Sequence, residues 1–258
     1  MARATFVWGL KRSGIHLVVA WLFANHGGSE RDELVTDGLH PQLCDGYADP
    51  TAGVGFYNNC GRLHSRRLEL GDLTAADFDA ATRRHRATIF SIEDCSLQFA
   101  PQTAGVEGAT NLLVLRDPLN NLASRLQASS TRPAVFRVDS AYLDLVEAYC
   151  AEYLGLTDSL VPKTIVSYNR FVADRSYRDQ LAARLGVDNV DAVSDVPGYG
   201  GGSSFSGTLR SSEGELMSRF RQRPIPPAIL KDLLGRAVVR KACLTVFGYD
   251  LAATVAGT

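Results

Sequence analysis

Apolar residues in this chain gather in short, near-continuous runs separated by amphipathic stretches. Thr5–Trp8, Ala87–Ile92, Asn111–Leu115 and Lys163–Tyr168 are rich in β-branched and aromatic residues and predict four strands. Their lack of polar alternation is the pattern of parallel strands covered on both faces. Between them lie helical patterns. Ile15–Phe23 is almost wholly apolar. Thr74 with Asp77 marks the start of a helix running to about His85. Pro118 opens a helix over Leu119–Gln127. Asp139-Ser140 caps another over Ala141–Leu156, with Leu143, Val146, Tyr149, Cys150 and Tyr153 on one stripe. Ser176–Leu185 is closed by Gly186, and Pro226-Pro227 start a last helix running to Phe247. Strands alternating with helices predict an α/β fold: a single domain with a mostly parallel central sheet flanked by helices on both faces.

Two regions lack this periodicity. Residues 25–86 open with a long polar segment rich in Gly, Asp, His and Pro, which predicts a substrate-side excursion with a short helix or two. Residues 188–225 are mostly loop and contain the glycine-rich run Gly198–Gly207.

At 258 residues the chain fits one α/β domain and buries roughly 70–75% of its unfolded surface, enough to need no disulfide staple. Its 27 basic and 28 acidic residues give a net charge of −1, which argues against bulk binding to nucleic acid. Arginines still cluster locally, at Arg62–Arg67, Arg83–Arg86 and Arg219–Arg223, as suits a small anionic ligand. The five cysteines are scattered and form no Cys-x-x-Cys pair, which predicts reduced thiols in a cytoplasmic protein and no metal site. No segment is long and apolar enough to predict a membrane span or a signal peptide.

The first chemistry-bearing motif is Gly9-Leu-Lys-Arg-Ser-Gly14, set between the first strand and the first helix. Glycines give such a loop its conformational range. Inward N–H groups and the helix N-terminus then make an anion cradle, to which Lys11 and Arg12 add charge. A nucleoside triphosphatase P-loop places Lys and Ser/Thr after the second glycine, the hydroxyl holding Mg²⁺. Here Ile15 and His16 stand there. The second motif is Arg116-Asp117-Pro118, with Ser124 eight residues after the arginine. An arginine at a strand end and a hydroxyl two turns along the next helix can grip a phosphate. Glu93 and Asp94 follow the second predicted strand, on the same rim as the loop if both strands run parallel in one sheet.

Together these segments resemble the sulfotransferases that use 3′-phosphoadenosine 5′-phosphosulfate (PAPS). The loop Gly9–Gly14 resembles their 5′-phosphosulfate loop, and Arg116 with Ser124 their 3′-phosphate motif. Val166–Phe171 and Val246–Asp250 are similar to a strand-turn and an ending of that family. The resemblance implies a PAPS-dependent, metal-free sulfotransferase acting on the hydroxyl or amine of a small-molecule acceptor, as in secondary metabolism. It implies that Lys11, Arg12, Ser13, Gly14, Ile15 and His16 bind the phosphosulfate and Arg116 and Ser124 the 3′-phosphate. Tyr168 would meet the adenine. Gly201, Gly202, Ser203 and Ser204 would close over the nucleotide, with Arg219, Arg221 and Arg223 as the alternative. Glu93 takes the place of the general base, His16 and Arg12 stabilise the sulfuryl group, and His40 and His64 are further candidate bases. Tyr47, Tyr57, Glu93 and Asp94 are the candidate acceptor contacts. Departures from the family pattern are Lys11 for proline and Ile15-His16 for a hydroxyl pair. Two other readings remain: a P-loop kinase using ATP and Mg²⁺, with Asp117 as metal ligand, and a nucleotide sensor without a base.

Overall fold

The computed structural model describes residues 3–28, 35–36, 46–49, 51–58, 74–100, 103, 105–191 and 218–256. Strand β1 (Arg3–Gly9) leads through the glycine loop into helix α1 (Ile15–Asn25). Three short strands follow: β2 (Val35–Thr36), β3 (Gly46–Asp49) and β4 (Val54–Tyr57). Next come α2 (Ala75–Thr82), β5 (Ala87–Glu93), β6 (Thr110–Leu115), α3 (Pro118–Ser129) and α4 (Ser140–Tyr153). After β7 (Lys163–Ser167) stand α5 (Tyr168–Ala173) and α6 (Arg175–Leu185). The described chain ends with α7 (Arg219–Gln222), α8 (Pro227–Gly235), α9 (Ala237–Phe247) and α10 (Leu251–Ala256).

One sheet runs in the order β2-β3-β4-β5-β1-β6-β7. From β4 to β7 every pairing is parallel, while β2 and β3 add antiparallel at the edge. Alternate residues of the central strands serve opposite faces. Phe6, Trp8, Phe90, Ile92, Leu113 and Leu115 join a core with α4, α8 and α9. Val7, Ile89, Leu112, Val114 and Val166 join one with α1, α5 and α6. Burial on both sides explains why these strands show no polar alternation.

The predicted strands and most helices fall where the sequence pattern puts them, with three differences. The polar segment after α1 contributes strands: β3 and β4 form a hairpin whose second strand docks on β5, with Phe56 beside Ile89. Tyr168 opens a short helix instead of ending β7. The last predicted helix is broken at Arg236, whose guanidinium reaches Asp232, Asp144 and Glu147 at 3.0, 2.8 and 3.1 Å. Three carboxylates on two helices hold the break in place.

The register places the loop. Gly9 lies beside Glu93 of β5 on one side and Val114 of β6 on the other. The glycine loop therefore sits at the carboxyl edge of the sheet, where the chain leaving β1 crosses towards β4 and the chain leaving β5 crosses the other way to β6. Ligands of open α/β sheets bind in that crevice.

Candidate functional site

Loop Leu10–Gly14 is an anion nest. Arg12 and Gly14 both take the left-handed conformation, with φ of 71° and 85°. The N–H groups of Arg12, Gly14 and Ile15 have no acceptor among the described residues. Arg12 Nε and Ser13 Oγ are buried and equally without partners. Five polar groups in one short loop thus lack what an anionic group with several oxygens supplies. The glycines divide their roles differently from the expectation. Gly9 is in extended strand, where a Cβ would come within 2.9 Å of Ser13 Oγ; it gives space. Gly14 gives both: its left-handed φ, and room for the Tyr168 ring, which a Cβ would approach to 2.0 Å.

The two peptide units that flank the Lys11 Cα are each held by a hydrogen bond. The Lys11 N–H donates to Asp94 Oδ1 at 2.8 Å, and its carbonyl accepts from Asn121 Nδ2 at 3.3 Å. Asp94 Oδ2 accepts from Arg125 Nη1 at 2.7 Å, and the Arg125 guanidinium lies 3.8 Å above the Tyr142 ring. The Tyr142 hydroxyl donates back to Asn121 Oδ1 at 2.5 Å. The circuit closes through the end of β5, α3 and α4, so rotating either peptide unit that flanks Lys11 breaks a buried hydrogen bond. This corrects the expectation for Asp94. Both carboxylate oxygens serve the loop and Arg125, and the residue is 6% exposed, so it positions the nest instead of contacting an acceptor.

His16 and Glu93 face each other. His16 Nε2 lies 3.0 Å from Glu93 Oε1 and 3.0 Å from Asn58 Oδ1. One N–H cannot align with both oxygens. The Asn58 bond has the better angle, and Glu93 Oε1 is left without an aligned donor, so charge is what couples the pair. Ser91 Oγ also reaches Asn58, at 3.2 Å. Burial alone would lower the His16 pKa, but the Glu93 charge, with the acceptor oxygens of Glu93 and Asn58 close to Nε2, outweighs it and the pKa is raised. Burial alone would raise the Glu93 pKa, but His16, then Lys11 and Arg12, bring it below the ordinary carboxylate value. Both shifts favour the ionic form of the pair. The geometry corrects the reading of His16 as a donor aimed at the nest through this nitrogen: Nε2 turns towards Glu93 and Asn58.

No protein-family model matches the sequence, and no curated protein does. Among solved structures the chain is similar to the sulfotransferase domain of the Synechococcus PCC 7002 olefin synthase. The identity is 14% and the TM-score 0.48, over 96% of this chain and 95% of that one. The likeness is one of backbone course; what the site can do rests on its residues.

The remaining candidates divide into three groups. Arg116 and Ser124 are brought to the loop side of the sheet and are 3% and 1% exposed. Arg116 Nη1 donates to the Arg12 carbonyl at 3.2 Å, and its guanidinium lies 5.5 Å from the Tyr168 ring centre. Arg116, Tyr168 and Gly14 are therefore stacked in one contact, with Tyr168 only 6% exposed. The Ile15 side chain is buried in the core, which leaves its N–H as the only group it can offer an anion. Burial, then the Arg116 charge, lowers the Arg12 pKa, and Glu93 opposes this.

Tyr57 is the second correction. It is 2% exposed and stacked on Phe90 with ring centres 5.3 Å apart, so it is a core residue and not an acceptor contact. Tyr47 pairs with Phe56 on β3, but its side chain lies outside the described residues. So do His40, His64, Arg62–Arg67, and Gly201, Gly202, Ser203 and Ser204. In the alternative cluster, the Phe220 N–H of α7 donates to Asn120 Oδ1 on α3 at 3.2 Å, and Arg219 is 4% exposed. Asp117 caps α3: Oδ1 accepts from the Asn120 N–H and Oδ2 from Asn169 Nδ2.

Sequence reasoning missed Asn58, Asn121, Arg125 and Tyr142. Asn121 and Arg125 stand four residues apart, and thus on one face of α3, and both are buried. Buried polar residues at that spacing were the available signal.

Proposed function

We propose that this protein transfers a sulfuryl group from PAPS to the hydroxyl or amine of a small-molecule acceptor. The observation that carries the reading is the nest: three unpartnered N–H groups with Arg12, Lys11 and Arg116 around them, next to an ionised carboxylate at the end of the adjoining strand. The unpartnered donors of the loop fit a phosphosulfate. Lys11, Arg12, Ser13, Gly14 and Ile15 would hold it, and Arg116 with Ser124 the 3′-phosphate. When bound, PAPS supplies an activated sulfuryl group joined to a phosphate that leaves with negative charge.

The residues supply the rest. Preorganised N–H groups and guanidinium charge in a water-poor crevice stabilise charge that grows during transfer, with no reorganisation needed at that moment. Glu93 would take the proton that the acceptor loses as its oxygen or nitrogen bonds to sulfur. An anionic group placed beside the His16–Glu93 pair raises both pKa values, which makes Glu93 a better base once the nest is filled. Asn58 holds the His16 ring, whose charge lies beside the carboxylate until then.

A magnesium-dependent phosphoryl transfer finds less support. Neither position after Gly14 carries a hydroxyl, and both oxygens of Asp117 already accept protein hydrogen bonds, Oδ1 as the cap of α3 and Oδ2 from Asn169. Glu93→Gln tests the assignment. Sulfate transfer from PAPS should fall by at least about 100-fold, the usual worth of a general base, while the affinity for adenosine 3′,5′-bisphosphate stays within a few-fold of wild type. Full-rate transfer by this variant would remove Glu93 from the mechanism.

A further inference from the structure

The amino-terminal rim of the sheet carries a second basic hollow, roughly 20 Å along β1 from the nest at about 3.3 Å per residue. It is a cavity of about 580 Å³ where β1 and β5 begin, lined by Arg3, Asn25, His26, Arg86, Gly186 and Asp188 among others. Its size is in the range that holds a small metabolite.

Four groups there are under-used. Arg3 reaches only the Gly186 carbonyl, at 3.1 Å. Arg86 reaches the carbonyls of His26 and Ala52 through Nη2 and Nε. Neither arginine has an ion-pair partner among the described residues, so each guanidinium keeps an unpaired edge. The Asn25 Oδ1 accepts from the Val190 N–H at 2.9 Å, but its Nδ2 is buried with no acceptor. His26 is 8% exposed, and no hydrogen bond engages its ring among the described residues. Burial, then Arg86 and Arg3, lower its pKa. Among the described residues, Asp188 is the one carboxylate lining the cavity, against two guanidinium groups and an imidazole.

We infer that this hollow is a second anion site, separate from the sulfuryl-transfer crevice, that takes the phosphate or sulfate group of a small metabolite between Arg3, Arg86, Asn25 and His26. An oxyanion satisfies the orphaned Asn25 donor and the free guanidinium edges together. Its charge also offsets the two arginines that face His26 and favours the imidazolium, which then donates as well. Among the described residues, the charged groups that share the cavity with His26 are Arg3 from β1, Arg86 from the turn before β5, and Asp188 from the segment after α6. This inference does not depend on the sulfotransferase reading.

The test is a ¹H NMR titration of the full chain with inorganic phosphate at constant ionic strength. His26 is identified as the imidazole resonance missing from His26→Gln, which separates this hollow from binding at the nest. A saturable shift of that resonance, with the His26 pKa raised by phosphate, supports the site. Asn25→Asp keeps the acceptor for the Val190 N–H and replaces the orphaned donor with a carboxylate. It should abolish the shift while the resonance pattern of the fold is retained. Arg3→Gln, a change to an exposed side chain, should weaken the phosphate affinity several-fold. No phosphate-specific shift beyond that given by chloride, or the same shift in Asn25→Asp, overturns the inference. Sulfate in place of phosphate then distinguishes which oxyanion is preferred.

Discussion

His16 and Glu93 set each other's charge, and the consequence for pH can be worked out from the direction of each shift. The His16 pKa is raised above its ordinary 6.5. Its contribution to stability is complete below 6.5 and is lost as pH rises through the raised value. The Glu93 pKa is lowered from its ordinary 4.5. Its contribution is complete above 4.5 and is lost as pH falls through the lowered value. The pair therefore stabilises the fold fully between those two ordinary values and fades on either side. Removing the carboxylate leaves burial as the largest influence on the imidazole. In Glu93→Gln we expect the His16 pKa, read by ¹H NMR, to move from above 6.5 to below it. A pKa unchanged by the substitution would mean that the two side chains are not coupled in solution. The residues themselves were visible in the sequence, as a histidine after the loop and an acid at a strand end. Their pairing was not, because it depends on how far two strands lie apart and which way one ring turns.

The nest is a property of several elements at once. Strand β1 and helix α1 provide the loop, but the peptide at Lys11 is fixed from outside, by Asp94 after β5, Asn121 and Arg125 on α3, and Tyr142 on α4. Asp94 itself has a φ of 54°, which Asp and Asn adopt more readily than other residues with a Cβ. Asp94→Asn should therefore keep the backbone and remove only the charge. Arg125 is then a buried cation without its carboxylate, a change that costs about 3–5 kcal/mol in comparable pairs. Chemical denaturation should show a loss of that size, with weaker binding of adenosine 3′,5′-bisphosphate by the remaining folded protein. A loss below about 1 kcal/mol would mean that the circuit does not hold the loop.

The same distinction explains which elements could be read from sequence. Strands β1, β5 and β6 announce themselves because both faces are buried and each run is largely apolar, while β7, an edge strand with Ile165 exposed, is legible from its β-branched run Thr164–Val166. The β3–β4 hairpin does not, because it is short and contains Gly46, Gly53 and Gly55, and its second strand forms against β5. The break between α8 and α9 is set by the ion pairs of Arg236, two of which cross to α4. In the sequence Tyr57 reads as a candidate acceptor contact in a polar segment, whereas the hairpin turns it onto Phe90.

Across the chain, the architecture gathers two groups of positive charge at opposite rims of one sheet, although the net charge is only −1. At the carboxyl rim, Lys11, Arg12 and Arg116 surround unpartnered backbone donors. At the amino rim, Arg3 and Arg86 flank His26. A nearly neutral protein with local basic hollows suits small anions better than a polyanion, whose binding needs a continuous basic face. No helix among the described residues is long and apolar enough to cross a membrane.

The central claim concerns what fills the nest, and calorimetry addresses it directly. Adenosine 3′,5′-bisphosphate is titrated into the protein with EDTA present and again with Mg²⁺, alongside ATP under both conditions. Micromolar or tighter binding of the bisphosphate, unchanged by Mg²⁺ and at least about tenfold stronger than that of ATP, a difference of about 1.4 kcal/mol, is the expected result. Binding of ATP that requires Mg²⁺, with no measurable heat from the bisphosphate, would contradict the sulfuryl-transfer account.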